Sequence, residues 1–131
     1  MVSYITEVID KFTKQIGIME PGKPEEILAL LGQLNTIVVG EPNKGAILGV
    51  VAPHPFNPRV LIATELFWYV EPEYRASKFS VNLVKQFEDQ AKERGARFVF
   101  MMAIEHSNDM AIRLYPKLGY NKLETTFIKE I

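Results

Sequence analysis

No cysteine occurs among the 131 residues. That excludes a disulfide scaffold, a thiolate zinc site and a cysteine nucleophile together, and it fits a reducing compartment. Only 2 histidines are present, far apart in the chain, so no metal centre is expected. There is no Gly-Lys-Ser/Thr for a nucleotide P-loop and no Gly-x-Ser-x-Gly elbow for a serine hydrolase. No apolar run is long enough to span a membrane. The first residues, MVSYITEVIDKFTKQ, interleave charges with apolar side chains, unlike a signal peptide. The default expectation is a cytoplasmic protein with no membrane partner. Neither sign of charge dominates: 15 basic and 16 acidic residues give a net charge of -1, with no long run of like charges. A nucleic-acid partner is therefore not expected. Repeats, low-complexity tracts and long linkers are also missing, and the length suits one domain over residues 1–131.

What is present is an ordinary globular balance, 47% hydrophobic and 24% charged, enough to bury a core. Ile5, Val8, Ile9, Phe12 and Ile16 recur at helical spacing, with Ser3 as a candidate cap. Pro24 suits a first helical position, with Glu25 and Glu26 at the positive end of a second helix carrying Ile27, Leu30, Leu31 and Leu34. From Thr36 the period changes: TIVVG, the turn EPNKG and AILGVVA predict a hairpin. RVLIATELFWYV predicts a long strand ending at Val70. Helix follows from about Ala76, with Phe79, Leu83, Val84, Phe87 and Ala91 on one face, and stops at Gly95. RFVFMMAI reads as a strand buried on both faces of a parallel sheet. Ser107 is a candidate cap for a short helix ending at Gly119, and YNKLETTFIKEI reads as a closing strand. The order ααβββαβαβ predicts a mixed α/β (α+β) sheet, antiparallel early and parallel late.

Two segments carry chemistry. EPEYRASKFS leads from a strand into a helix, the layout of an anion-binding turn, yet without the glycine such turns normally use. SNDMAIRLYPKLGY resembles the second signature of the GNAT superfamily of acetyl-CoA-dependent N-acyltransferases, through Asn108, Ala111, Leu114, Tyr115, Leu118, Gly119 and Tyr120. YVEPEYRASKFS is similar to that family's pyrophosphate turn, Arg/Gln-x-x-Gly-x-Gly/Ala; Arg75 matches, and Lys78 and Ser80 stand at the two small positions. ELFWYVEPEYR also resembles short members encoded by tailed bacteriophages.

The resemblance implies strands splayed around an acyl-CoA cleft and transfer of an acetyl group from acetyl-CoA to an amine on a small molecule or a protein. It places the pyrophosphate on the turn Arg75, Ala76, Ser77, Lys78, Phe79 and Ser80. The pantetheine arm falls along Phe67, Trp68, Tyr69 and Val70, with Asn108 a further candidate to bond the cofactor. The other readings are Ser77 as a plain helix cap, Lys78 as a solvated charge, and Trp68 and Tyr69 as half-buried strand aromatics. Tyr115 matches the family's tyrosine that protonates the departing thiolate; its other reading is a core aromatic. For the base, Glu65 is the only acid within its strand, and a carboxylate there either faces a cleft or points to solvent. His106 is the second candidate and His54, between two prolines, a weaker one. Pro116 removes a helical donor and should tighten or end its helix. The missing glycines, Pro116 and the short stretch after Gly119 also fit a GNAT-like module that has lost catalysis and only binds acyl-CoA or serves assembly. An exposed sheet edge would suit a homodimer.

Overall fold

The computed structural model describes residues 1–103 and 109–131, apart from the side chains of Asp109 and Met110. Helices α1 (Val2–Ile16) and α2 (Pro24–Gln33) precede strands β1 (Thr36–Glu41), β2 (Gly45–His54) and β3 (Asn57–Val70). A 3-10 turn (Pro72–Tyr74), helix α3 (Lys78–Glu93), strand β4 (Ala96–Phe100) and helix α4 (Asp109–Lys117) follow. The sheet order is β1-β2-β3-β4. The first three strands run antiparallel and β4 lies parallel to β3, as the single helical crossover through α3 requires. The predicted mixed α/β class is the observed one.

Helices cover both faces. On one, Leu83, Val84, Phe87 and Ala91 of α3 pack on Ile37, Ile47, Val51, Ala63 and Val70. On the other, Tyr4, Ile5 and Val8 of α1 pack on Ala46, Leu48 and Phe67. Both helices have the apolar stripe that such one-sided burial needs. A bulge in β3 makes the two faces compatible with one strand. Leu48 pairs with Phe67 and Gly49 with Glu65, leaving Leu66 unopposed. Odd positions such as Ala63 face α3 before the bulge, whereas Phe67 and Tyr69 face α1 after it. Gly49 is required here: a Cβ would lie 2.5 Å from the Phe87 ring and 2.6 Å from the Thr64 carbonyl.

Three expectations need correction. Ser3 does not cap α1, which starts at Val2 with no side-chain cap; Ser3 sits inside the helix. β4 is not buried on both faces: Arg97 and Phe98 are exposed, because α1 covers the opposite end of the sheet, over β2 and the far half of β3. The closing segment forms no strand among the described residues; Leu123, Phe127 and Ile128 are exposed. Strand-forming residues become a strand only beside a hydrogen-bonding partner, and residues 121–131 make no backbone bond to the described chain. Pro116 acts as expected: α4 ends one residue later, its last turn tightened by Gly119 N–H donating to the Pro116 carbonyl. No helix among the described residues is long and apolar enough to cross a membrane.

Candidate active site

β3 and β4 pair only from Leu61↔Ala96 to Thr64↔Phe100 and then part. Beyond that point no strand among the described residues pairs with the β3 edge from Glu65 to Val70, and a cleft of about 230 Å³ opens there. Trp68, Tyr69 and Val70 line one wall, Met102, Ala103 and α4 the other, and Phe12 and Gln15 of α1 reach in from the side.

Glu65 sits at the apex. Two residues on from Ala63 and before the bulge, its side chain falls on the α3 face, with Gly49 as its partner across the ladder. Glu65 is 3% exposed, and its carboxylate accepts the Met102 backbone N–H at 2.8 Å. It therefore closes the ladder where the main chains separate. Burial pushes its pKa up to about 7, against the opposing pull of the Met102 hydrogen bond. Tyr115 of α4 donates its hydroxyl to the Met102 carbonyl at 2.6 Å. Its pKa is raised first by burial and then by the Glu65 carboxylate, so the phenol holds its proton firmly. The Trp68 ring lies 5.9 Å from that of Tyr115. Its Nε1–H is buried and has no acceptor among the described residues.

At the other end lies the turn into α3. Arg75 donates Nε–H to the Val70 carbonyl at 2.8 Å, and its guanidinium stands 5.8 Å above the Tyr69 ring. Ala76 has φ 56, left-handed backbone that normally falls to glycine. Ser77 occupies the N-cap position without capping; its hydroxyl donates to the Tyr74 carbonyl instead. The first-turn N–H groups of α3 are thus left without a side-chain partner, and Ala76 and Ser80 border the cleft beside them. Ser80 itself is buried and donates to the Ser77 carbonyl at 2.8 Å.

The cleft brings together Glu65, Tyr115, Trp68, Tyr69, Val70, Arg75, Ala76 and Ser80. The side chains of four other candidates do not line it. Phe67 is buried under α1, Phe79 packs edge-on to Tyr74, Lys78 is exposed, and Ser77 is turned to Tyr74. His106, Asn108 and the Ser107 cap lie outside the described residues. His54, the last residue of β2, does not line the cleft; its Nδ1 accepts the Phe56 N–H and its ring lies 6.4 Å from that of Phe100. Glu71 accepts from the hydroxyls of Tyr4 and Tyr69, and Glu73 is exposed. Met102 is the participant that the sequence reading missed. It acts through its peptide group, which leaves no mark on residue type. No cluster of metal-binding side chains occurs among the described residues.

A mixed sheet that parts around a cleft next to an uncapped helix start has known counterparts. Residues 8–120 match the profile of the acetyltransferase (GNAT) family, and the chain belongs to that family. No curated protein matches the sequence. Among solved structures, a Trypanosoma brucei acetyltransferase superposes with TM-score 0.72 at 15% identity, covering 99% of this chain and 92% of that one. An aminoglycoside acetyltransferase from an uncultured soil metagenomic sample, in complex with sisomicin, gives TM-score 0.76 at 15% identity over 98% and 88%. A transcriptional regulator from Bacillus halodurans gives 0.75 at 16% identity over 99% and 93%. At these identities the likeness is one of fold.

Proposed function

We propose that this chain, as one domain over residues 1–131, transfers an acetyl group from acetyl-CoA directly to a primary amine. The observation that carries the reading is the pairing of Glu65 and Tyr115 on the single Met102 peptide, at the apex of the cleft. A carboxylate with pKa about 7 is matched to general-base work near neutrality, and a phenol with a raised pKa to general-acid work. Glu65 accepts the proton that the acceptor's ammonium group loses, directly or through water. As the new C–N bond forms and the C–S bond breaks, Tyr115 turns its proton from the Met102 carbonyl to the sulfur. His106, just beyond β4, is the alternative base.

The residues present fit coenzyme A. The unpaired β3 edge from Phe67 to Val70 offers backbone groups to the pantetheine amides, as an added strand would use them. The open N–H groups at the start of α3, with Arg75 and Lys78 nearby, suit a pyrophosphate. Ser77 and Ser80 add hydroxyls, Phe79 contributes its N–H, and Asn108 belongs to the same set. Bound there, acetyl-CoA supplies the activated acyl group. The acceptor is an amine of a small molecule or of a protein, and the aminoglycoside-modifying neighbour supports the former. We place the reaction in the cytoplasm, and the outer edge of β4, which no strand covers among the described residues, with Phe98 exposed on it, supports a homodimer, which light scattering tests.

Calorimetric titration with acetyl-CoA and with desulfo-CoA tests the reading. Binding that weakens when Lys78 and Ser80 are replaced by glutamate is expected. Binding without turnover on any amine would instead favour a module that holds acyl-CoA and has lost catalysis. An absence of binding up to millimolar cofactor would leave an assembly or structural role.

A further inference from the structure

We propose that the indole N–H of Trp68 is the hydrogen-bond donor to the acyl carbonyl oxygen of the thioester; this rests on acetyl-CoA being the ligand of the cleft. A buried N–H without an acceptor is unusual, since nearly all buried polar groups are paired. Leaving one unmade costs on the order of 1–3 kcal/mol. Phe in place of Trp would fill an aromatic strand position without that penalty. The unmet donor therefore marks a partner that arrives with a ligand.

Position identifies the partner. By register Trp68 lies opposite Ile47 on the α3 face of the strand, the face that carries Glu65 across the bulge. Its ring lines the cleft together with Glu65, Met102 and Tyr115. It stands 5.9 Å from the Tyr115 ring, at the end of the cleft where the acid and the base meet. Two atoms of a group reacting between Glu65 and Tyr115 gain charge during transfer: the sulfur, which Tyr115 serves, and the carbonyl oxygen, which needs another donor. A donor aimed at it bonds more strongly as the reaction proceeds, which is how such donors accelerate acyl transfer. The Trp68 N–H is shut off from solvent in the free protein, so ligand entry has to turn the indole until the N–H faces the cleft. The role belongs to the side chain and is separate from any contact made by the Trp68 backbone.

The chain has a single tryptophan, so its 15N–1H spectrum contains a single indole cross-peak. On titration with acetyl-CoA that peak is expected to move downfield, as a free N–H does on gaining an acceptor. With CoA, which has no acyl oxygen, backbone peaks along β3 and α3 should move while the indole peak stays. If acetyl-CoA shifts the backbone peaks and leaves the indole in place, the Trp68 proposal falls and cofactor binding stands. Equal movement of the indole with CoA would assign it to a pantetheine amide, which also overturns the proposal. If no peak moves with either ligand, both readings fail. Trp68→Phe keeps the ring contact with Tyr115 and removes only the donor. Its kcat should fall by roughly 10²-fold with CoA affinity unchanged, and an unaltered kcat would be decisive against the role.

Discussion

Glu65 and Tyr115 hold opposite ends of one peptide group: the carboxylate accepts the Met102 N–H at 2.8 Å and the phenol donates to the Met102 carbonyl at 2.6 Å. The two side chains come from β3 and α4 and are joined by no direct hydrogen bond; the link is the main chain that leaves β4. Because both depend on one peptide, a shift of that segment would displace the candidate base and acid together.

Glu65→Gln separates stability from activity. The fold holds the Glu65 proton more tightly than the unfolded chain does, with a pKa of about 7 against an ordinary 4.5. Stability from this group is therefore complete below about pH 4.5 and falls as pH rises through about 7. Above that, ionised Glu65 costs the fold about 3 kcal/mol, at ~1.4 kcal/mol per pH unit. Glutamine retains an acceptor for the Met102 N–H and does not ionise. Thermal melts should show the variant gaining on the parent at pH 8 and little difference at pH 5. Acetyl transfer should fall at both. A uniform shift at the two pH values would show that Glu65 does not titrate with the fold.

The pH dependence of kcat/KM in the parent protein should rise through about pH 7 as Glu65 loses its proton. An acceptor with a low amine pKa keeps its own ionisation out of that range. The rising limb should vanish in Glu65→Gln. If it persists unchanged, His106 becomes the better candidate for the base.

Tyr115→Phe should lower kcat by on the order of 10²–10⁴-fold while leaving the affinity for CoA unaltered. Loss of the bond to Met102 should also destabilise the fold by about 1 kcal/mol. Single-turnover kinetics alongside calorimetry would show the split. Full turnover in the variant removes Tyr115 from the mechanism.

Ala76→Gly addresses the turn. Left-handed backbone costs a residue with a Cβ about 1–2 kcal/mol, and glycine's extra chain entropy gives back about 0.5–1 of that. A net gain of about 0.5–1 kcal/mol in denaturant unfolding is expected. Affinity for CoA should be maintained, since the N–H groups that follow are not moved. A loss of stability would mean that the turn relaxes away from φ 56 in solution.

Gly49→Ala probes the bulge. Its Cβ would meet the Phe87 ring at 2.5 Å and the Thr64 carbonyl at 2.6 Å. Overpacking of this kind costs about 1–3 kcal/mol. Because Gly49 faces Glu65 across the ladder, the expected damage extends to activity. Chemical denaturation together with an acetyl-CoA titration would reveal both effects.

The sequence by itself determined the elements whose periodicity is strong and whose ends are marked. The stripes of α1 and α3, the hairpin around Asn43 and the long run ending at Val70 were each legible, because local spacing and turn chemistry act over a few residues. The family signature around Tyr115 was legible for the same reason, and it pointed to the helix that lines the cleft. The polar strand position of Glu65 also stood out, though its direction did not: a bulge at Leu66 reverses the inside-outside alternation, and no residue in β3 announces it.

Tertiary structure decided the rest. Whether YNKLETTFIKEI forms a strand depends on a hydrogen-bonding neighbour, not on its own composition, and none is supplied among the described residues. The burial that raises the Glu65 pKa, the exposure of one face of β4 and the unmet donor of Trp68 depend on which elements pack nearby. The bridge through Met102 is a backbone contact between segments distant in sequence, and backbone N–H and C=O groups are alike in every residue that could have stood there.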